Sequence, residues 1–195
     1  MSRRLRVATT NAHKLRELGE MLGPLGYEVL GAGEGFEVVE DGATFADNAV
    51  KKARALAAAT GEPALADDSG LEVHALGGAP GVHSARYAGE SGPTRDAANR
   101  TKLLAALAGV PDGQRAARFV CALAYLEPGR EPRLFRGTCE GVIGHEERGT
   151  GGFGYDALFV LPERGRTMAE LAPEEKNAVS HRGRALAAFL AFLHG

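Results

Sequence analysis

Two adjacent carboxylates, Asp67 and Asp68, are the residues of this 195-residue chain whose types and spacing most clearly suggest chemistry. They follow the short apolar run 64–66, so we expect them at the end of a strand. Neighbouring carboxylates repel one another unless a cation lies close by, and a divalent cation is a common remedy. The pair therefore indicates a magnesium site or acid–base chemistry, although an Asp-Ser-Gly sequence is also typical of a turn.

A run of small polar residues with one cation lies between the first predicted strand, residues 5–9, and a predicted helix that carries Leu15, Leu18 and Leu22. The N-terminus of a helix presents free backbone N–H groups, which can bind phosphate. Asn or Thr before a helix is also the usual helix cap. The residues that would bind phosphate are Thr9, Thr10, Asn11, Ala12, His13 and Lys14.

Two further groups could contact a base or a phosphate. Phe153 and Tyr155 lie among glycines, where two rings can form a slot for a flat base, although a turn with one aromatic in the core gives the same sequence. Lys176, His181 and Arg182 offer hydrogen-bond donors near the start of the last predicted helix, unless they form a solvated charged face. The chain has no P-loop, no Gly-x-Ser-x-Gly elbow and no His-Glu-x-x-His motif, which excludes those enzyme classes.

Alternating strands and helices must position these groups. Thr44 and Asp47 form a capping box that opens a helix through residue 59, and Glu40 precedes it, where an acid commonly faces the helix dipole. A helix over 94–107 is expected only to pack. The remaining predicted strands cover residues 27–30, 118–126, 134–143 and 159–160, and a last helix begins near residue 180. This order predicts an α/β fold, a mixed central β-sheet flanked by helices.

Composition narrows the class of protein. The chain is 44% hydrophobic and 25% charged, as expected for one globular domain over residues 1–195. A net charge of -2, 6% aromatics and no Trp disfavour a nucleic-acid binder.

The apolar run 185–193 is too short to span a membrane, and no export signal is evident, so we expect a cytoplasmic protein. Two distant cysteines indicate neither zinc nor a disulfide framework.

The order of these segments resembles the inosine triphosphate pyrophosphatase family. The resemblance extends over nearly the whole chain and includes the Ala-Asp-Asp-Ser-Gly-Leu sequence and the Gly-Phe-Gly-Tyr-Asp sequence. The matching segments are residues 9–14, 40–53, 66–71, 77–87, 152–156 and 176–182.

The resemblance implies a role for each group. Glu40 and Asp68 would hold Mg²⁺, Asp68 would also accept a proton, and Lys52 would join the segment 9–14 in binding the triphosphate. The implied nucleotide contacts are Ser69, Phe153, Gly154, Tyr155, Asp156, Lys176, His181 and Arg182.

The same resemblance implies an activity and an architecture. The enzyme would hydrolyse ITP, dITP and XTP to the monophosphate and pyrophosphate, as a homodimer whose subunits have two lobes around a long nucleotide-binding cleft. A regulatory module that binds nucleotide without turnover is the alternative. The three acids Glu40, Asp67 and Asp68 argue against it, because a pure binder would not need them.

Overall fold

A mixed β-sheet with flanking helices forms the fold. The computed structural model describes residues 3–194, and within this range it contains seven sheet strands in the order β2-β1-β3-β4-β5-β6-β7. The strands are β1 (Arg3–Val7), β2 (Tyr27–Leu30), β3 (Ala64–Val73), β4 (Ala116–Leu126), β5 (Arg133–Ile143), β6 (Phe159–Leu161) and β7 (Arg166–Thr167). The α-helices are α1 (Ala12–Leu22), α2 (Phe45–Thr60), α3 (Arg95–Ala106), α4 (Pro173–Val179) and α5 (His181–His194).

Strand directions divide the sheet into a parallel and an antiparallel part. Strand β1 pairs in parallel with β2 and with β3. Strand β6 pairs antiparallel with β5 and with β7. The predicted α/β fold with a mixed sheet is therefore confirmed.

Local sequence signals set the helix ends. Thr44 and Asp47 form the predicted capping box, in which each backbone N–H donates to the other side chain at 3.1 Å. Gly61 ends α2 with a φ of 68°, a left-handed conformation that favours glycine. Thr94, by contrast, makes no side-chain capping bond to α3.

The chain divides into two compact units, each with its own core. The first unit contains the described residues up to Asp68, Cys121–Gly137 and those from Arg182 onwards. The second contains Ser69–Val120 and Thr138–His181. The core of the first unit includes residues of β1, α1 and α5, and that of the second includes residues of α3, β5 and β6.

Two parts of the predicted secondary structure need correction. Strand β3 does not end before Asp67 but continues to Val73, because it is an internal strand with partners on both sides that bury its polar residues. Strand β7 and helix α4 were not predicted. They are only two and seven residues long, although Pro173 at the first position of α4 favours a helix start. No helix in residues 3–194 has the length and apolar character to cross a membrane.

Candidate functional site

The parallel register of β1 and β3 places the predicted phosphate segment beside the acid pair. Val7 is the register partner of Leu65, and the N–H of Ala8 donates to the carbonyl of Leu65 at 2.7 Å. The chain that follows β1 therefore runs past Asp67, and Lys14 forms an ion pair with that carboxylate. Residues 9–14 thus lie beside the part of β3 that carries Asp67.

Asn11 is the N-cap of α1. Its side-chain oxygen accepts the N–H groups of His13 and Lys14 at 3.0 and 3.3 Å, while Thr9 Oγ1 accepts the N–H of Asn11 at 3.1 Å. The helix-cap alternative thus describes Asn11 correctly. Phosphate binding by this segment stays a prediction.

The fully buried side chain of Asp67 lies in an ionic cluster. Its carboxylate accepts hydrogen bonds from Arg182 Nε at 2.9 Å and Cys121 Sγ at 3.1 Å, and it pairs with Lys14. Arg182 also forms an ion pair with buried Glu17. Burial alone would raise the pKa of Asp67, but Arg182 and Lys14 hold it well below the usual value. Asp67 is therefore ionised and neutralised by the protein's own cations.

This cluster corrects the idea that the two adjacent acids share one cation. Successive side chains of a strand point to opposite faces, so Asp67 and Asp68 have different partners. Asp67 binds Lys14 and Arg182, whereas Asp68 Oδ1 accepts from Lys52 Nζ at 3.0 Å. Nothing distinctive in the sequence signals Glu17 as a member of the cluster.

Asp67→Asn should destabilise the protein strongly. The substitution keeps the side-chain shape but leaves Lys14 without its buried counter-charge and Arg182 with Glu17 alone, and breaking a buried ion pair typically costs about 3–5 kcal/mol. Urea unfolding followed by circular dichroism would measure the loss. Asp112→Asn is the matched control, because that side chain is 88% exposed and should change stability little. Equal stability of both variants would show that the cluster contributes nothing to the fold.

Lys52 joins two acids that lie apart in sequence. From α2, its buried ammonium group donates to Glu40 Oε1 and Asp68 Oδ1, each at 3.0 Å, and to the carbonyl of Asp67 at 2.8 Å. Burial lowers the pKa of Lys52, but the surrounding acids more than offset this and raise it. Lys52 is therefore a fixed positive charge between two carboxylates.

The loop that carries Glu40 is docked onto α2 through Gly42. The N–H of Gly42 donates to Asn48 Oδ1 at 2.8 Å. A Cβ at position 42 would lie 2.6 Å from that same oxygen, so the loop could not approach the helix with a larger residue. The glycine thus sets the position of Glu40.

The environment of Asp68 suits a group that binds a cation or a proton. Burial raises its pKa, and the nearby charge of Glu40 raises it further, against the lowering effects of Lys52 and Lys14. Its Oδ2 atom is buried and has no hydrogen-bond partner in the described structure. A buried acid with a raised pKa and an unsatisfied oxygen is typical of a functional position.

The oxygen donors of Asp68 and Glu40 fit magnesium. Mg²⁺ is commonly bound by one or two carboxylates, with water and substrate phosphate completing the shell. Among residues 3–194 no group of three or more His, Cys, Asp or Glu residues could hold a metal ion. Asp68 and Glu40, with the unsatisfied Oδ2 of Asp68, would thus supply only part of a magnesium coordination shell.

In the second unit, Asp156 organises the glycine-rich segment. Its Oδ2 atom accepts the N–H of Phe153 at 2.9 Å and Lys176 Nζ at 2.6 Å. The same Lys176 nitrogen lies 5.0 Å from the centroid of the Phe153 ring. Lys176 and the segment 152–156, both of which the family resemblance assigned to nucleotide binding, are therefore in contact.

The two aromatic residues of this segment do not form a slot. Tyr155 is buried in the core of the second unit, where its hydroxyl donates to the carbonyl of Ser84 at 2.8 Å. Phe153 is half-buried. The structure therefore shows the alternative of a turn with one core aromatic.

The remaining predicted contacts have different environments. Ser69 is half-buried at the start of the second unit. His181 is buried and stacks on Phe119 with ring centroids 4.8 Å apart. Arg182 directs two of its nitrogens to Asp67 and Glu17. Its predicted contact with a nucleotide stays a prediction.

The structure thus combines a mixed α/β sheet with a buried lysine that bonds to two carboxylates. The Ham1 family model matches residues 5–192, and the chain belongs to the Ham1 family. The family resemblance found in the sequence is thereby confirmed.

Individual relatives agree with this assignment. A dITP/XTP pyrophosphatase of Desulforamulus reducens is 59% identical over 186 residues, which are 94% of this chain and 92% of the relative. Another from Escherichia coli O157:H7 is 51% identical and covers 92% of both chains. The structure of a HAM1 protein from Coxiella burnetii matches with a TM-score of 0.87 and 44% identity over 98% of both chains.

Proposed function

We propose that the protein hydrolyses non-standard purine nucleoside triphosphates, namely ITP, dITP and XTP, to the monophosphate and pyrophosphate, which removes them from the nucleotide pool. The observation that carries this proposal is the buried carboxylate of Asp68, with an unsatisfied oxygen and with Lys52 bonded to both it and Glu40. Similarity to proteins named dITP/XTP pyrophosphatase supports the choice of substrates.

Asp68 and Glu40 perform the central part of the proposed reaction. Asp68 accepts a proton from the water that attacks the α-phosphorus, and the bond from that phosphorus to the bridging oxygen breaks to release pyrophosphate. Magnesium, held by Glu40 and Asp68, supplies charge neutralisation on the phosphate oxygens when bound. Lys52 keeps the two carboxylates in place through its 3.0 Å bonds to each.

The other residues bind substrate in this proposal. Lys14 and the segment 9–14 bind the triphosphate, because cations and backbone N–H groups both favour phosphate oxygens. Lys52 contributes to binding the triphosphate through its charge, since its three donors already bond to protein oxygens. Phe153 stacks on the base. The further nucleotide contacts are Ser69, Gly154, Tyr155, Asp156, Lys176, His181 and Arg182.

Separate assays of pyrophosphate and orthophosphate test the reaction. The protein is incubated with ITP, dITP, XTP and the standard nucleotides in magnesium buffer, and both products are measured. Pyrophosphate from the non-standard purines is the expected result. Orthophosphate as the only product, or nucleotide binding with no turnover, would contradict the proposal, and the latter would favour the regulatory module.

Removal of divalent cations should stop the reaction. The proposed ligands are carboxylate and phosphate oxygens, which prefer hard cations. Activity should disappear on addition of EDTA and return with excess Mg²⁺, and Mn²⁺ should substitute. Full turnover in metal-free buffer, or rescue by Zn²⁺ alone, would contradict the oxygen-ligand site.

We also propose, from the family resemblance, that the protein is a cytoplasmic homodimer. Sedimentation velocity of the purified chain tests the oligomeric state, and a monomer at micromolar concentration would contradict it.

A further inference from the structure

Two residues of α3 bind both polar groups of Gly154. Asp96 Oδ2 accepts the N–H of Gly154 at 2.8 Å, and Arg100 Nη1 donates to the carbonyl of Gly154 at 2.9 Å. Asp96 and Arg100 are four residues apart, so they lie on the same face of the helix. All three residues belong to the second unit. We call the pair Asp96 and Arg100 the Gly154 clamp.

Each member of the Gly154 clamp is itself held in place. Asp96 Oδ1 accepts two hydrogen bonds from Arg95, from Nε and Nη2, each at 3.0 Å. Arg100 Nε forms an ion pair with the carboxylate of Glu147 at 2.9 Å, without the geometry of a hydrogen bond. The clamp therefore presents a preorganised acceptor and donor to one residue.

Gly154 needs external support for its conformation. Its φ is 61°, in the left-handed region, and a Cβ at this position would meet no atom within 4 Å. Glycine is therefore required by the backbone and not by lack of space. Because glycine is also the most flexible residue, hydrogen bonds from α3 must restrict it.

The restricted residue lies inside the segment that binds the base in the proposed function. Phe153 precedes Gly154, and Asp156 holds the N–H of Phe153 while binding Lys176. The position of the Phe153 ring therefore depends on the peptide groups around Gly154. Loss of the clamp would lower the fraction of molecules whose segment 152–156 is in the binding conformation. The apparent affinity for the base would fall in proportion to that fraction.

We propose that Asp96 and Arg100 are positioning residues that hold segment 152–156 in its base-binding conformation. This inference rests on the proposed function, since it assumes that the segment contacts the base. It assigns α3, for which the sequence suggested packing alone, a part in substrate recognition.

Two ligands separate an effect on the base from an effect on the phosphates. IMP carries the base, whereas inorganic tripolyphosphate has no base. In titration calorimetry, Asp96→Ala and Arg100→Ala should each weaken the affinity for IMP about 10-fold relative to wild type, which is the contribution of one charge-assisted hydrogen bond. The affinity for tripolyphosphate should stay within about twofold of the wild-type value. The KM for ITP should rise by a similar factor, with a smaller change in kcat.

Three further variants sharpen the test. Asp96→Asn retains an acceptor oxygen and should recover most of the IMP affinity. The double variant Asp96→Ala/Arg100→Ala should lose less than the sum of the single losses, because both residues restrict one peptide. Thr101→Ala is the control, because it changes an exposed side chain on the same helix.

The outcomes distinguish this inference from the proposed function. Wild-type protein that neither hydrolyses ITP nor binds IMP would overturn the proposed function and this inference with it. Active wild-type protein whose Asp96→Ala variant binds IMP normally would overturn the inference alone. An equal loss of affinity for IMP and for tripolyphosphate would also overturn the inference, because that result would indicate a general loss of structure.

Discussion

Asp68→Asn should lower kcat for ITP by about 10²- to 10⁴-fold, the usual contribution of a positioned general base. Asparagine preserves the shape and can still accept the hydrogen bond that Lys52 Nζ donates to Asp68 Oδ1 at 3.0 Å. It cannot accept the proton, and it offers a metal one neutral oxygen in place of a carboxylate. Steady-state kinetics with saturating magnesium would measure the loss.

The stability of the same variant supplies its control. Burial and Glu40 raise the pKa of Asp68, so its ionised form is less favourable in the folded protein than in the unfolded chain. Asparagine removes that unfavourable charge but also one of the two carboxylates that face buried Lys52, while Glu40 still pairs with it, so the loss of stability should be smaller than that expected for Asp67→Asn. Near wild-type turnover, or inactivity caused by unfolding, would contradict the role assigned to Asp68.

Wild-type protein should prefer ITP to ATP by roughly 10⁴-fold in kcat/KM. Hypoxanthine has a 6-oxo acceptor, whereas adenine has a 6-amino donor at the same edge. We propose that His181 and Arg182, two of the nucleotide contacts named above, present hydrogen-bond donors to that edge, where a second donor leaves both sides unpaired. Equal kcat/KM values for ITP and ATP would contradict donor recognition of the base.

The buried ion pairs of Arg182 affect how its role in this preference should be tested. Arg182→Ala would remove the partner of buried Asp67 and Glu17, so some loss of folded protein is expected. The ratio of kcat/KM for ITP and ATP within one variant is independent of the folded fraction. A ratio that falls would support a role of Arg182 at the base, and an unchanged ratio would limit Arg182 to the buried cluster.

Local signals allowed much of the fold to be predicted. The capping box at Thr44 and the glycine after α2 define that helix, and β2 has the predicted bounds of Tyr27–Leu30. These features depend on residues close in sequence, whose hydrogen bonds and backbone preferences are short-range. Segment order then supported the family resemblance, which the family match confirms.

Features that depend on distant residues were not predictable from such signals. The sequence around Asp67 is typical of a turn, but strands on both sides hold it within β3. Tyr155 is held in the core by the hydrogen bond that its hydroxyl donates to the carbonyl of Ser84, 71 residues earlier in the sequence. The contacts of Asp96 and Arg100 with Gly154 likewise span more than 50 residues. Periodicity cannot reveal such pairings.

The buried ionic cluster also determines the order in which the chain can be assembled during synthesis. Glu17 and Asp67 are made early, Cys121 later, and Arg182 is 165 residues after Glu17 and 115 after Asp67. A growing chain therefore lacks the guanidinium that neutralises both acids until residue 182 has been translated. The second unit, whose residues all precede Arg182, has its complete sequence first. The first unit, which supplies Glu17 and Asp67 early, can thus finish folding only after the sequence of the second unit is complete.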